Sequence, residues 1–149
     1  MSPFLVAALA RAMNIALMAH DNKKELMVQF CTAYAGILFR HSLYATDTTG
    51  HQVSRATGLN VRCFLTRAHG GVQQIGAGIA RNEFDMVLFF NDPARTETDG
   101  EVSYISRLCD ASNIPFASNI ATAEMLVLGL ARGDLDWRSV VNPSARPID

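Results

Sequence analysis

The 149 residues predict an α/β domain built on a parallel sheet. Two observations carry that expectation. Short apolar runs alternate with segments of helical periodicity from one end of the chain to the other. The composition, 49% apolar with 18% charged residues, suits a compact core rather than a disordered chain. No composition shift, linker or internal repeat divides the sequence, so a single domain over 1–149 is expected, a size that can bury a substantial core.

The elements follow in order. Ser2-Pro3-Phe4-Leu5-Val6-Ala7-Ala8-Leu9-Ala10-Arg11 is apolar, but it lacks a basic start and is interrupted by Arg11. It is read as an N-terminal extension over about 1–12, an extra helix rather than a signal segment. Strands are expected over 13–19, 42–45, 61–65, 85–90 and 115–117, each a dense apolar run closed by polar or turn residues. Helices are expected near 22–35, 49–57, 72–82, 100–112 and 121–131. From about 142 to 149, Pro143 and Pro147 predict an extended arm.

Charge and cysteine usage exclude several classes. A net charge of −1 gives no basic field for nucleic acid or an anionic membrane. No run reaches the ~20 apolar residues that a membrane-spanning helix needs. Cys31, Cys63 and Cys109 are odd in number and lack C-x-x-C spacing, so reduced, mostly buried thiols and a cytoplasmic location are expected. His41, His51 and His69 show no ligand spacing with Cys or carboxylates, so no metal is expected. No dinucleotide fingerprint or P-loop is present, so no nucleotide cofactor is expected either.

Ligands of open α/β sheets sit beyond the carboxyl ends of the strands. Here those ends read His20-Asp21, Thr46 to Gly50, Thr66-Arg67 and Asn91-Asp92-Pro93, all polar. Thr46-Asp47-Thr48-Thr49-Gly50 combines hydroxyls with a helix N-terminus, which suits an anion, although simple capping of the helix explains it too. Lys24 can supply a counter-charge. Asp21 and Asp92 are candidate acids, bases or anchors, or else a helix cap and a turn starter. His20 is a site residue or a structural histidine. An acidic pocket of the response-regulator kind would need a lysine after the fifth strand, where Ser118-Asn119 stands.

Five motifs in order carry a specific resemblance. Ile15-Ala16-Leu17-Met18-Ala19-His20-Asp21, Tyr44-Ala45-Thr46-Asp47-Thr48-Thr49-Gly50, Gly70-Gly71-Val72-Gln73-Gln74, Phe89-Phe90-Asn91-Asp92-Pro93 and the run from Asn113-Ile114-Pro115 to Ala121-Thr122-Ala123 resemble the methylglyoxal synthase family over about 13–130. The resemblance implies a three-layer α/β/α sandwich with a five-stranded parallel sheet, a homohexamer, and elimination of phosphate from dihydroxyacetone phosphate. It places phosphate contacts at Lys24, Thr46, Thr48, Thr49 and Thr66; Arg67 and Gly71 are read as further phosphate-binding candidates. A supporting pair falls at His20 and Asp21, and a further carboxylate at Asp92.

The departures fall in the same region. The family's proposed catalytic Asp is Val72, its loop glycine is Asp47, and its Ser-Gly after the third strand is Thr66-Arg67. Its loop His and Asp are Thr98 and Glu101, and Arg146 is the nearest candidate for an arginine given to a neighbouring subunit. Loss of a general base costs about 10²–10⁴-fold in rate. Loss of an oxyanion donor costs a further factor of about 10²–10³. Glu101, Asp92, Asp47 and His69 are candidate replacement bases, Glu101 first. Asp47 and Arg67 are expected to pair, since a lone carboxylate would repel a bound phosphate. Two functions are therefore expected to compete: a lyase with a relocated base, and a non-catalytic phosphometabolite-binding or regulatory protein.

Overall fold

A computed structural model describes residues 12–95 and 99–141. Thr98, Arg146, the tail over 142–149 and all of the N-terminal extension except Ala12 lie outside the described residues. Five strands form one sheet: β1 (Asn14–Ala19), β2 (Ser42–Ala45), β3 (Val61–Cys63), β4 (Met86–Phe90) and β5 (Phe116–Ala117). Their order is β3-β2-β1-β4-β5 and every neighbouring pair is parallel. The helices are α1 (Lys24–Ala33), α2 (Ala35–Leu38), α3 (Asp47–Thr57), α4 (Gly71–Ala80), α5 (Asp99–Ala111), α6 (Ile120–Ala131) and α7 (Trp137–Val141). No helix among the described residues is long and apolar enough to cross a membrane.

The period of two in a strand sends alternate side chains to opposite faces. Ile15, Leu17 and Ala19 therefore pack with Leu43, Ala45, Met86, Leu88 and Phe90 against α1, α2, α3 and α6. Ala16 and Met18 pack with Tyr44, Val87 and Phe89 against α4 and α5. Both faces of the sheet are thus covered, which is why its central strands read as unbroken apolar runs. Cys31 and Cys109 are buried in these two layers and Cys63 is half-buried, all three free. Burial pushes the Cys31 and Cys109 thiols up to about 12.

Strand order reverses on either side of β1: the chain runs outward from β1 to β3, then returns to add β4 and β5 on the other edge. The switch lies between the carboxyl ends of β1 and β4, where the site forms. Several boundaries differ from expectation. β3 stops at Cys63 because the Leu65 N–H is taken by the Gln74 side chain (2.8 Å) instead of a strand partner. The helix expected over 22–35 opens as a 3₁₀ turn, Asp21–Lys23, and breaks at Tyr34 before α2.

α7 is unforeseen in the sequence reading, and it contributes the largest fully buried side chain, Arg138. Arg138 Nε pairs with Asp85 Oδ1 at 3.1 Å, while its other nitrogens donate to Asn82 Oδ1, Asn113 O and Phe84 O. The second Asp85 oxygen accepts from Asn14 N at 2.8 Å, so this network ties α7 to the start of β1.

Candidate active site

At the switch point the backbone N–H of His20 donates to Phe90 O (3.1 Å), and the N–H of Asp92 donates to His20 Nδ1 (2.7 Å). A ring nitrogen that accepts carries no proton, so the imidazole proton sits on Nε2. Burial, together with the Arg67 and Arg95 guanidinium groups, holds His20 below the ordinary histidine value against the pull of Glu101 and Asp92. His20 is therefore a neutral donor. Its Nε2 is buried and meets no hydrogen-bonding partner among the described residues.

Asp92 is occupied structurally. One carboxylate oxygen accepts from Ala94 N (3.0 Å) in a turn of the chain ahead of α5, and the other accepts from Asn22 Nδ2 (2.9 Å). It is 7% exposed and does not line the cleft described next, so the turn-starting role weighed from the sequence is realised.

A polar cleft of about 310 Å³ lies beside these residues, lined by Asp21, Lys24, Thr46, Thr48, Thr66, Arg67, Ala68 and Glu101. Lys24 is anchored by donation to Ala19 O (2.9 Å) and by an ion pair with Asp21 (3.2 Å). The hydrogen bond from Lys24 to Asp21, and the Lys24 charge, hold the Asp21 carboxyl below its usual range. Thr46 stands at the N-cap of α3 in extended conformation, yet its side chain makes no capping bond. Capping alone thus does not account for the threonine. Thr46 before α3, Thr48 in its first turn and Thr66 after β3 line the cleft, and the Thr66 hydroxyl also meets His69 Nδ1 at 2.7 Å. Lys24 and Arg67 add two cationic heads, and the helix end adds its own positive potential. Such a set can hold a phosphoryl group.

Glu101 brings a second carboxylate beside that of Asp21, whose partner is Lys24. It reaches the cleft from the first turn of α5 and accepts from Arg67 Nε at 3.2 Å. The pairing expected between Asp47 and Arg67 is overturned by this contact. Asp47 instead turns along α3 to His51, 3.0 Å from its Nε2, and does not line the cleft. The change follows from spacing: residues i and i+4 on a helix face one another, whereas Arg67 sits on a separate 3₁₀ turn, Arg67–His69. His69 is also spent locally, its Nδ1 2.7 Å from Thr66 Oγ1.

Similarity to known proteins shows the family and the fold. The family model described as MGS-like domain matches residues 26–118. The methylglyoxal synthase of Caldicellulosiruptor saccharolyticus is 58% identical over 132 residues, covering 88% of this chain and 94% of that protein. The methylglyoxal synthase of Geobacillus thermodenitrificans is 53% identical over 135 residues, covering 90% and 94%. The chain belongs to the methylglyoxal synthase family. A crystal structure of methylglyoxal synthase from Elizabethkingia anophelis superposes with a TM-score of 0.71 at 38% identity, covering 78% of this chain and 77% of that one.

Against the family pattern, Val72 has a definite place. It is 1% exposed, in the first turn of α4, and packs in the apolar layer with Met18, Tyr44 and Phe89. Gly71 is buried where a Cβ would collide with Leu65 O, so glycine there permits the close approach of α4 to the loop after β3. Thr49 is buried, outside the cleft lining, and its hydroxyl meets no partner among the described residues. Of the residues singled out in the sequence, the cleft gathers Asp21, Lys24, Thr46, Thr48, Thr66, Arg67 and Glu101. His20, Asp92, Thr49 and Gly71 are buried outside that lining. Asn22 escaped the sequence reading because an asparagine in a 3₁₀ turn carries no distinguishing pattern.

Proposed function

We propose that this protein is a lyase of the methylglyoxal synthase type, acting on dihydroxyacetone phosphate with Glu101 as the base. The observation that carries the reading is the presence of Glu101 in the same cleft as Lys24, Thr46, Thr48, Thr66 and Arg67. Asp92, Asp47 and His69 are held in local bonds outside that lining.

In this mechanism the cationic heads and threonine hydroxyls bind the phosphate. Glu101 takes a proton from the hydroxymethyl carbon, and the C–H electrons form the carbon–carbon double bond of an enediolate. His20 Nε2–H donates to the developing oxyanion, with Asp92 fixing the ring through its backbone N–H. Loss of the hydroxyl proton then drives cleavage of the C–O bond, and inorganic phosphate leaves with the bonding pair. The enolate left behind takes a proton on its methylene carbon and becomes methylglyoxal. No cofactor takes part. Assembly as a homohexamer in the cytoplasm belongs to the same reading, and a light-scattering mass of one chain would contradict it.

Val72 in the apolar layer favours a second reading, a protein that binds phosphorylated metabolites without turning them over. Incubation with dihydroxyacetone phosphate separates the two. Equal yields of phosphate and methylglyoxal support the lyase. Binding heat without product, with product regained in Val72→Asp, supports the binder.

A further inference from the structure

On the far side of the threonine loop, three side chains of different donor chemistry converge. Asp47 and His51 lie one turn apart on α3, and Cys63 ends the neighbouring β3. His51 Nε2 is 3.0 Å from Asp47 Oδ1, and His51 Nδ1 is 3.9 Å from Cys63 Sγ. A carboxylate oxygen, an imidazole nitrogen and the sulfur all lie within 4.8 Å of one another.

We propose that Asp47, His51 and Cys63 form a binding site for a single divalent transition-metal ion of the zinc class. The donor set of carboxylate, imidazole and thiolate is the one such an ion prefers, and bonds of about 2.0–2.3 Å around a tetrahedral centre separate ligand atoms by about 3.3–3.8 Å. The Cys63–His51 separation already approaches that value. The carboxylate closes the remainder by rotation, which its exposure permits: the Asp47 side chain is 40% exposed and that of His51 64%. Cys63 is the fixed member, half-buried at the strand end.

Gly50 sets the approach. A Cβ there would collide with Cys63 Sγ, so only glycine lets α3 come close enough to β3 for His51 to reach the sulfur. Three protein ligands leave the fourth position to solvent, as in an open rather than a closed site. The thiolate and carboxylate together cancel the charge of a dication, which offsets its unfavourable place near a helix N-terminus. No spacing in the sequence marks the site, since Cys63 is twelve residues from His51 and comes beside it only through the packing of α3 on β3.

The site stands independently of the lyase reading, so the test reads the metal directly. Chelator-treated protein is titrated with cobalt(II), following the thiolate-to-cobalt charge-transfer band. One cobalt per chain is expected, with the band lost in Cys63→Ser and affinity weakened roughly tenfold or more in His51→Gln and Asp47→Asn. Circular dichroism controls for folding in each variant. No charge-transfer band in the unsubstituted protein overturns the proposal. A band unchanged in Cys63→Ser overturns it too, by placing the ion on Cys31 or Cys109. An unchanged affinity in both His51→Gln and Asp47→Asn does the same, leaving Asp47 and His51 as an ordinary helix-surface ion pair.

Discussion

Arg67 Nε and Glu101 Oε2 meet at 3.2 Å inside the cleft, joining the turn after β3 to the start of α5. The pair joins the cation proposed to bind phosphate to the carboxylate proposed as base, and substitutions should separate the two roles. Glu101→Gln is expected to retain affinity for inorganic phosphate. Arg67→Met is expected to weaken it by roughly tenfold or more, since hydrogen bonds to charged groups are worth about 1.5–3 kcal/mol. Titration calorimetry with phosphate checks both.

His20 offers a way to divide structure from chemistry. Asn places an acceptor near the position of Nδ1, so His20→Asn can keep the bond from the Asp92 N–H while losing Nε2–H. Turnover is expected to fall by roughly 10²–10³-fold, the cost of one oxyanion donor. Stability should stay near that of the unsubstituted protein. His20→Ala loses both and leaves a buried N–H unpaired, at a further cost of about 1–3 kcal/mol in stability. Thermal unfolding beside phosphate-release rates tests the distinction.

Two histidines make stability depend on pH with a definite sign. His20 and His41 both lie below the ordinary histidine value, through burial first, with Arg67 and Arg95 adding for His20 and Arg40 for His41. Each accepts a backbone N–H at Nδ1, from Asp92 and from Met13. In the window between the depressed folded value and about 6.5, the unfolded chain binds more protons than the folded one. Their contribution is full above that window and declines as pH falls through it, by at most about 1.4 kcal/mol per pH unit per histidine. Urea unfolding at a series of pH values should show the loss, and a His41→Asn variant should show a shallower one.

Arg138 is expected to be the most sensitive position outside the site. Removing one partner of a buried pair costs about 3–5 kcal/mol, because the other charge is left uncompensated. Arg138→Met should lose roughly that much stability in urea unfolding, with its phosphate affinity unchanged once folded.

The sheet was legible in the sequence because burial on both faces makes its central strands continuous apolar runs, as in Ile15 to Ala19 and Met86 to Phe90. The cleft was largely legible too, since strand ends such as Thr46 and Thr66 break those runs with polar residues. What the sequence hid depends on contacts between distant segments. Asp47 takes His51 rather than Arg67, Gln74 ends β3 early, and Arg138 reaches back to Asp85. Asp92 shows the remaining ambiguity: a carboxylate ahead of proline serves a turn as readily as a reaction, and here both oxygens serve the backbone and Asn22.

Phosphate release from dihydroxyacetone phosphate, measured for the unsubstituted protein beside Glu101→Gln, decides whether the chemistry has moved to this carboxylate. With Glu101 as the base, the unsubstituted protein turns over and Glu101→Gln is slower by roughly 10²–10⁴-fold, its phosphate affinity preserved. Equal rates for the two proteins, or no release by either, would contradict it.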